Sequence, residues 1–125
     1  MTIESELVRQ HADLLVLSVL ADGAQYGYAI SKEVASRSDS RIRLTPGVLY
    51  PLLHKLEKQK LLLASWDEVR AETSDVDGGR KRKWYRLSAK GRRKLEQRIV
   101  SHRATQNLIE TFIPDARAGG SEAAT

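Results

Sequence analysis

Residues 43–57 constrain the fold more than any other stretch. Thr45 followed by Pro46 marks a helix start, because a side-chain oxygen there caps free N–H groups and proline suits the first helical position. Val48, Leu49, Leu52, Leu53 and Leu56 then recur at spacings of three and four, which makes one apolar stripe. Tyr50, His54, Lys55 and Lys58 lie largely off it. A short helix with a buried stripe and a Tyr/His/Lys outer face suits a DNA major groove. It equally suits an ordinary core helix with a solvated face, and these residues alone leave both open. Pro51 removes one intrahelical hydrogen bond and predicts a local bend rather than a break.

The flanking segments supply the rest of a small domain. Residues 4–21 read as a helix with two apolar stripes, Val8, Ala12, Leu15 and Val19 on one and Leu7, Leu14, Leu17 and Ala21 on the other. Such a helix should contact two surfaces, its own domain and a second one. Asp22 and Gly23 end it. A shorter helix follows over residues 26–36, with Tyr28, Ile30, Val34 and Ala35 expected in the core and Ser31, Lys32 and Glu33 outward. Residues 36–40 are polar and turn-like, so a short helix, a connection and a capped helix follow one another in helix-turn-helix order. Residues 61–69 are β-favouring, 70–77 form a polar loop, and Asp77, Gly78 and Gly79 signal a turn. Residues 80–87 read as a returning strand, which makes a hairpin or wing. Trp66 and Trp84 are expected to pack across it or against the last helix.

Ser88 should cap a long helix running to about Ile113, where Pro114 stops it. Leu95, Ile99, His102, Gln106, Ile109 and Ile113 follow alternating spacings of four and three, the seam of a coiled coil. Nothing else in the chain is left to cover that surface, so a partner subunit is expected. Residues 115–125 are an Ala/Gly/Ser/Glu tail expected to be disordered.

Charge narrows the functional classes. Across 125 residues there are 21 Lys+Arg against 16 Asp+Glu, and residues 80–98 carry ten cations against Glu96 alone. An anionic partner is favoured. There is no cysteine, hence neither a disulfide framework nor a thiolate metal site. His11, His54 and His102 lie far apart without carboxylates at ligand spacing, so no metal and no other cofactor is expected. The chain holds no catalytic constellation or phosphate-cradling glycine loop, and an enzyme is not expected. No apolar run approaches the ~20 residues of a membrane span, and the N-terminus lacks a signal-peptide pattern. A cytoplasmic location without membrane attachment is expected.

Four phrases, in order, resemble the PadR family of bacterial transcriptional regulators. The first is the apolar run 14–20 leading through Asp22-Gly23 into Tyr26-Gly27-Tyr28, where the family usually has His-Gly-Tyr. The second is Thr45-Pro46-Gly47-Val48-Leu49-Tyr50-Pro51, close to the family's Ser-Pro-Gly-Thr-Leu-Tyr-Pro. The third, Gly79-Arg80-Lys81-Arg82-Lys83-Trp84-Tyr85-Arg86-Leu87, is similar to its Gly-Arg-Pro-Arg-x-Tyr-Tyr-x-Leu wing. The last, Leu87-Ser88-Ala89-Lys90-Gly91, resembles its Leu-Thr-x-x-Gly phrase. The Thr45–Pro51 wording argues against a regulator of the MarR kind. Departures are Lys81 for the usual wing proline, Tyr26 for the histidine, and a long wing tip bearing Glu72, Asp75 and Asp77, which phosphates would repel. The final helix has no Trp, which some drug-binding relatives use to stack ligands.

The resemblance implies a mainly α fold with a small β-hairpin, α+β in class: a winged helix-turn-helix domain over residues 1–87, a dimerisation helix over 88–114, and the tail. It implies a homodimer that represses transcription at a pseudo-palindromic operator in double-stranded DNA and responds to a small-molecule effector at the dimer interface. Expected DNA contacts are Arg80, Lys81, Arg82 and Lys83 on the wing, Thr45, Gly47, Tyr50, His54 and Lys55 on the recognition helix, and Tyr28 and Lys32 on the preceding one. Expected dimer contacts are Leu7, Leu14, Leu95, Ile99, His102, Gln106, Ile109 and Ile113. The competing reading is a winged-helix protein-interaction module without sequence-specific DNA binding.

Overall fold

The computed structural model describes residues 2–68 and 81–115. Its contacts group the chain into two compact units, Met1–Leu95 and Glu96–Thr125. The first holds helix α1 (Ile3–Val19) with a 3₁₀ turn at Leu20–Asp22, strand β1 (Gln25–Tyr26), α2 (Gly27–Arg37), α3 (Pro46–Lys58), β2 (Leu62–Glu68), β3 (Lys81–Leu87) and the start of α4 (Ala89–Glu110). The remainder of α4 belongs to the second. The order of elements is that of an α+β winged helix, as expected.

Local chemistry sets the boundaries. Thr2 and Ser5 cap α1 reciprocally, with Ser5 N–H donating to Thr2 Oγ1 at 3.0 Å and Thr2 N–H to Ser5 Oγ at 3.2 Å, which satisfies otherwise open donors. The helix becomes 3₁₀ at Leu20 instead of continuing to residue 21. Its expected stripes are redistributed: Val16, Leu17, Val19 and Leu20 are buried, Ala21 is exposed, and Leu7, Val8, Leu14 and Leu15 are half-buried. The C-terminal half of α1, packed by α2 and α3, is thus covered nearly all round.

Two helices end in the same manner. After α2, Asp39 has φ 56°, Ser40 N–H reaches Ala35 O at 2.7 Å and Asp39 N–H reaches Ser36 O at 3.3 Å. After α3, Lys60 has φ 67°, Leu61 N–H reaches Leu56 O at 3.0 Å and Lys60 N–H reaches Glu57 O at 2.9 Å. Both are Schellman ends with a left-handed residue where glycine is usual. Between α2 and α3, Ser38 Oγ donates to Val34 O at 2.9 Å and accepts from Ile42 N–H at 2.9 Å, so the connection is pinned. At α3 the Thr45 carbonyl accepts from Leu49 N–H at 2.8 Å, but its side chain makes no capping bond. The helix continues through Pro51.

The sheet has three strands, ordered β1-β3-β2 and antiparallel. β1, only two residues long, is additional to the expected hairpin. Register pairs Ser65 with Trp84 and Trp66 with Lys83, so the two indoles lie on opposite faces. Trp84 packs against Tyr26 with centroids 4.1 Å apart and the rings tilted by 57°, and its Nε1–H donates to Asp67 at 3.3 Å. Trp66 is 63% exposed, more open than a side chain expected to pack across the hairpin or against the last helix. It lies far along β2 from the fully buried Leu62. Tyr28 is likewise 68% exposed rather than in the core, because in α2 the buried side belongs to Gly27, Ile30 and Val34.

Ser88 caps α4: its Oγ accepts from Gly91 N–H at 2.9 Å and donates to Lys60 O at 2.7 Å. This seats the helix start on the turn that ends α3. The helix closes at Glu110 rather than about Ile113, since Thr111 and Phe112 N–H turn back to Leu108 and Ile109 carbonyls at 3.1 and 2.9 Å, a tightening common at helix ends. In the second unit Val100, Leu108, Ile109, Phe112 and Ile113 are exposed.

Candidate nucleic-acid interface

At 100° per residue, the buried Leu49, Leu53 and Leu56 of α3 place Gly47, Pro51, His54 and Lys58 on the opposite side, where all four are exposed. Tyr50 and Lys55 fall on the two flanks. The expected recognition residues are therefore not one patch. Gly47 and His54 are on the outer face, with exposed Thr45 just before the helix. Tyr50 leans toward α2, and Lys55 borders a cavity with α1 and the start of α4. Lys58 and Pro51 share the outer face; the sequence placed Lys58 off the stripe without counting it among the contacts.

Tyr50 meets the start of α2 at Gly27. A Cβ on Gly27 would come within 2.7 Å of the Tyr50 ring, so hydrogen at this position is what lets the ring lie there. Tyr26, Gly27, Tyr28, Tyr50, Arg82 and Lys83 border an open groove of about 370 Å³. The structure thus brings together Tyr28, Tyr50, Arg82 and Lys83, separate in the sequence reading, and adds Tyr26. The Tyr-Gly-Tyr phrase at 26–28, with a third tyrosine at 50, was the available signal: a glycine between aromatics marks a close approach.

The groove is cationic and aromatic. Arg82, itself exposed, holds its guanidinium 4.5 Å from the Tyr26 ring centroid, a favourable cation–π distance. Lys32 lies 5.5 Å from the Tyr28 centroid, on the exposed side of α2. Lys83 is differently engaged. Its ammonium forms an ion pair with Glu57 of α3, 2.9 Å from Oε1, and sits 5.6 and 5.5 Å from the Trp66 and Tyr85 centroids. The Glu57 carboxylate beside it raises the Lys83 pKa despite partial burial. Burial pushes the Tyr85 phenol up. Glu57, not among the sequence-predicted site residues, thus links β3 to α3 and takes up the charge of Lys83.

Arg80 and the acidic tip residues Glu72, Asp75 and Asp77 lie outside the described residues, and Lys81 is described only in its backbone pairing with Glu68. Among the described residues, no three His, Asp or Glu are grouped to hold a metal ion, and no helix is long and apolar enough to cross a membrane.

Residues 16–97 match the profile of the transcriptional regulator PadR-like family. The chain is 34% identical over 108 residues to transcriptional regulator Rv3488 of Mycobacterium tuberculosis, covering 86% of this chain and 88% of that one. Among solved structures it is similar to a transcriptional regulator from Clostridium thermocellum, at TM-score 0.75 and 27% identity, covering 90% of this chain and all of that one. It is also similar to a PadR family transcriptional regulator from Eggerthella lenta, at TM-score 0.72 and 31% identity over 86% of each.

Proposed function

The chain belongs to the PadR-like family of transcriptional regulators, and from that premise we propose that it is a homodimeric repressor of a pseudo-palindromic operator, released by a small-molecule effector. The observation that carries the DNA assignment is the exposed face of α3, Gly47, Pro51, His54 and Lys58, set beside a cationic aromatic groove on the same side as the wing base. In this reading α3 enters the major groove and His54 and Lys58 reach base edges. Thr45, Gly47 and Tyr50 meet the backbone at the helix start, with Tyr28 and Lys32 beside them. Lys55 reaches out from its flank. Arg82, with Arg80 and Lys81, neutralises phosphates along the wing. Lys83 acts mainly by fixing the wing against α3 through Glu57.

Dimerisation draws support from apolar surface. Val100, Leu108, Ile109, Phe112 and Ile113 are exposed on the second unit. In the first, the α1 residues Leu7 and Leu14 are half-buried, and on another side of that helix Val8, Ala12, Ile42, Val48 and Leu52 bound a groove of about 810 Å³. A second copy covers these surfaces, with Ile99, His102, Gln106, Ile109 and Ile113 along the seam; Leu95, expected there, is already buried within its own chain. Two recognition helices then lie about one DNA turn, ~34 Å, apart.

Binding to a DNA pool-selected operator, compared with random duplex across salt concentrations, tests the assignment. Arg82→Ala should weaken both DNAs alike and lower the salt slope by about one. His54→Ala or Lys58→Ala should cost ~1–3 kcal/mol on the operator and little on random DNA. Equal losses on both DNAs would remove the base-readout assignment.

A further inference from the structure

We propose that the cavity between α1, the end of α3 and the start of α4 is a binding site for a small organic polyanion. It lies wholly within the first unit, has a volume of about 560 Å³, and is closed below by Leu17, Leu56 and Leu61, all buried. Around its rim converge Arg9 of α1, Lys55 of α3, and Lys90 and Lys94 of α4.

The balance of charge identifies the occupant. Asp13 is the one carboxylate among the lining residues, and Gln10 and Gln59 add neutral amides. Arg9 is shared with Glu6. The Lys90 ammonium donates to the Gln59 carbonyl at 3.1 Å, which orients it without cancelling its charge. Lys55 and Lys94 form no ion pair with a described residue. Lys90 and Lys94 are one turn apart on a helix whose first turn holds no acidic residue, an arrangement of like charges that opposes helix formation. A ligand bearing two or three negative charges relieves this repulsion, and the leucine floor offers its carbon skeleton an apolar contact. The recess favours a compact molecule over a duplex backbone, which meets proteins on their outer surfaces. Di- or tricarboxylates and phosphate esters share the required chemistry.

Lys55 also flanks the α3 face proposed to meet DNA. Occupancy holds this cation at the cavity, so ligand and DNA oppose one another, and each lowers the other's affinity by the same factor. This second step rests on the DNA-binding reading; the site itself does not.

Titration calorimetry on the full chain, without DNA, tests the site with citrate and glycerol 3-phosphate as probes and glycerol and ionic-strength-matched sulfate as controls. Saturable binding of either probe at one per chain, weakened at least tenfold by the double change Lys90→Gln and Lys94→Gln and strengthened by Asp13→Asn, is expected. Which probe binds separates carboxylate from phosphate recognition. Binding no tighter than sulfate, a stoichiometry of one per two chains, or unchanged affinity in the correctly folded double variant would overturn the site. So would a double variant that loses random-duplex binding as strongly as probe binding, because the cavity would then be part of a DNA track. In a second arm, the bound probe should weaken operator binding by wild type but not by the double variant. Unaltered operator affinity overturns the coupling alone, whereas failure to bind any DNA overturns the regulator reading and leaves the calorimetric result standing.

Discussion

Gly91 shows how much a single hydrogen decides. A Cβ there would sit 2.0 Å from the Leu61 carbonyl oxygen, and that carbonyl already accepts from Ser88 N–H at 3.0 Å. Gly91→Ala must therefore push the start of α4 off the turn after α3. We expect a loss of ~1–3 kcal/mol, the usual scale of overpacking, seen as a lower urea midpoint with an unchanged m-value. The opposite outcome is expected at Lys60, which occupies a left-handed conformation at φ 67° with its side chain exposed. Lys60→Gly removes the steric cost of that conformation and should raise stability by about 0.5–1 kcal/mol in the same assay. Periodicity reads Gly91 only as a weak point in a helix and gives no hint about Lys60. Both effects depend on backbone neighbours brought close by folding, and a one-dimensional pattern does not encode them.

Among elements, β3 and α3 are joined by the ion pair of Lys83 and Glu57. The pairing has a pH signature. Lys83 is raised from an ordinary value of 10.5 by the Glu57 carboxylate beside it, and Tyr85 is raised from 10.0 by burial. For both groups the folded chain keeps its proton longer than the unfolded one. Their stabilisation is complete below the unfolded values and is lost as pH rises through the folded ones. Melting temperature should therefore fall as pH is raised from about 9 to about 11, across the ordinary Tyr and Lys range. Tyr85→Phe should make that decline shallower, and an unchanged slope would remove Tyr85 from the account. Most elements were legible because each carried its own period: leucines at three and four in α3, alternation in β3, turn residues between. β1 was not, since two residues have no period and exist as a strand only through pairing with β3. Tyr28 misled for a related reason. Its spacing fits a core position, but Gly27 already occupies the buried side of that turn.

At the scale of the whole molecule, the two-sided character of the chain bears on assembly. The first unit has a closed core running from Val16 to Leu95, whereas residues 100–115 of the second are exposed throughout. Val100, Leu108 and Phe112 alone are 67%, 63% and 81% exposed. Large exposed apolar side chains gathered on one element ordinarily mark an interaction site, and the four-three spacing from Leu95 to Ile113 suits a second helix. If a second copy covers it, the melting temperature must rise with protein concentration, because association stabilises the folded state by mass action. Ile109→Asp buries an unpaired carboxylate in that seam, so it should shift sedimentation toward monomer and abolish the concentration dependence. Leu95 is different: it is 7% exposed in one chain, so Leu95→Ala should also lower the stability of the monomer by ~2–5 kcal/mol. A monomeric Ile109→Asp variant that retains the wild-type first-unit fold should bind one operator half-site and lose the preference for two half-sites 10–10.5 base pairs apart. Retention of that spacing preference by a monomer would show that the two recognition helices are not set by this seam.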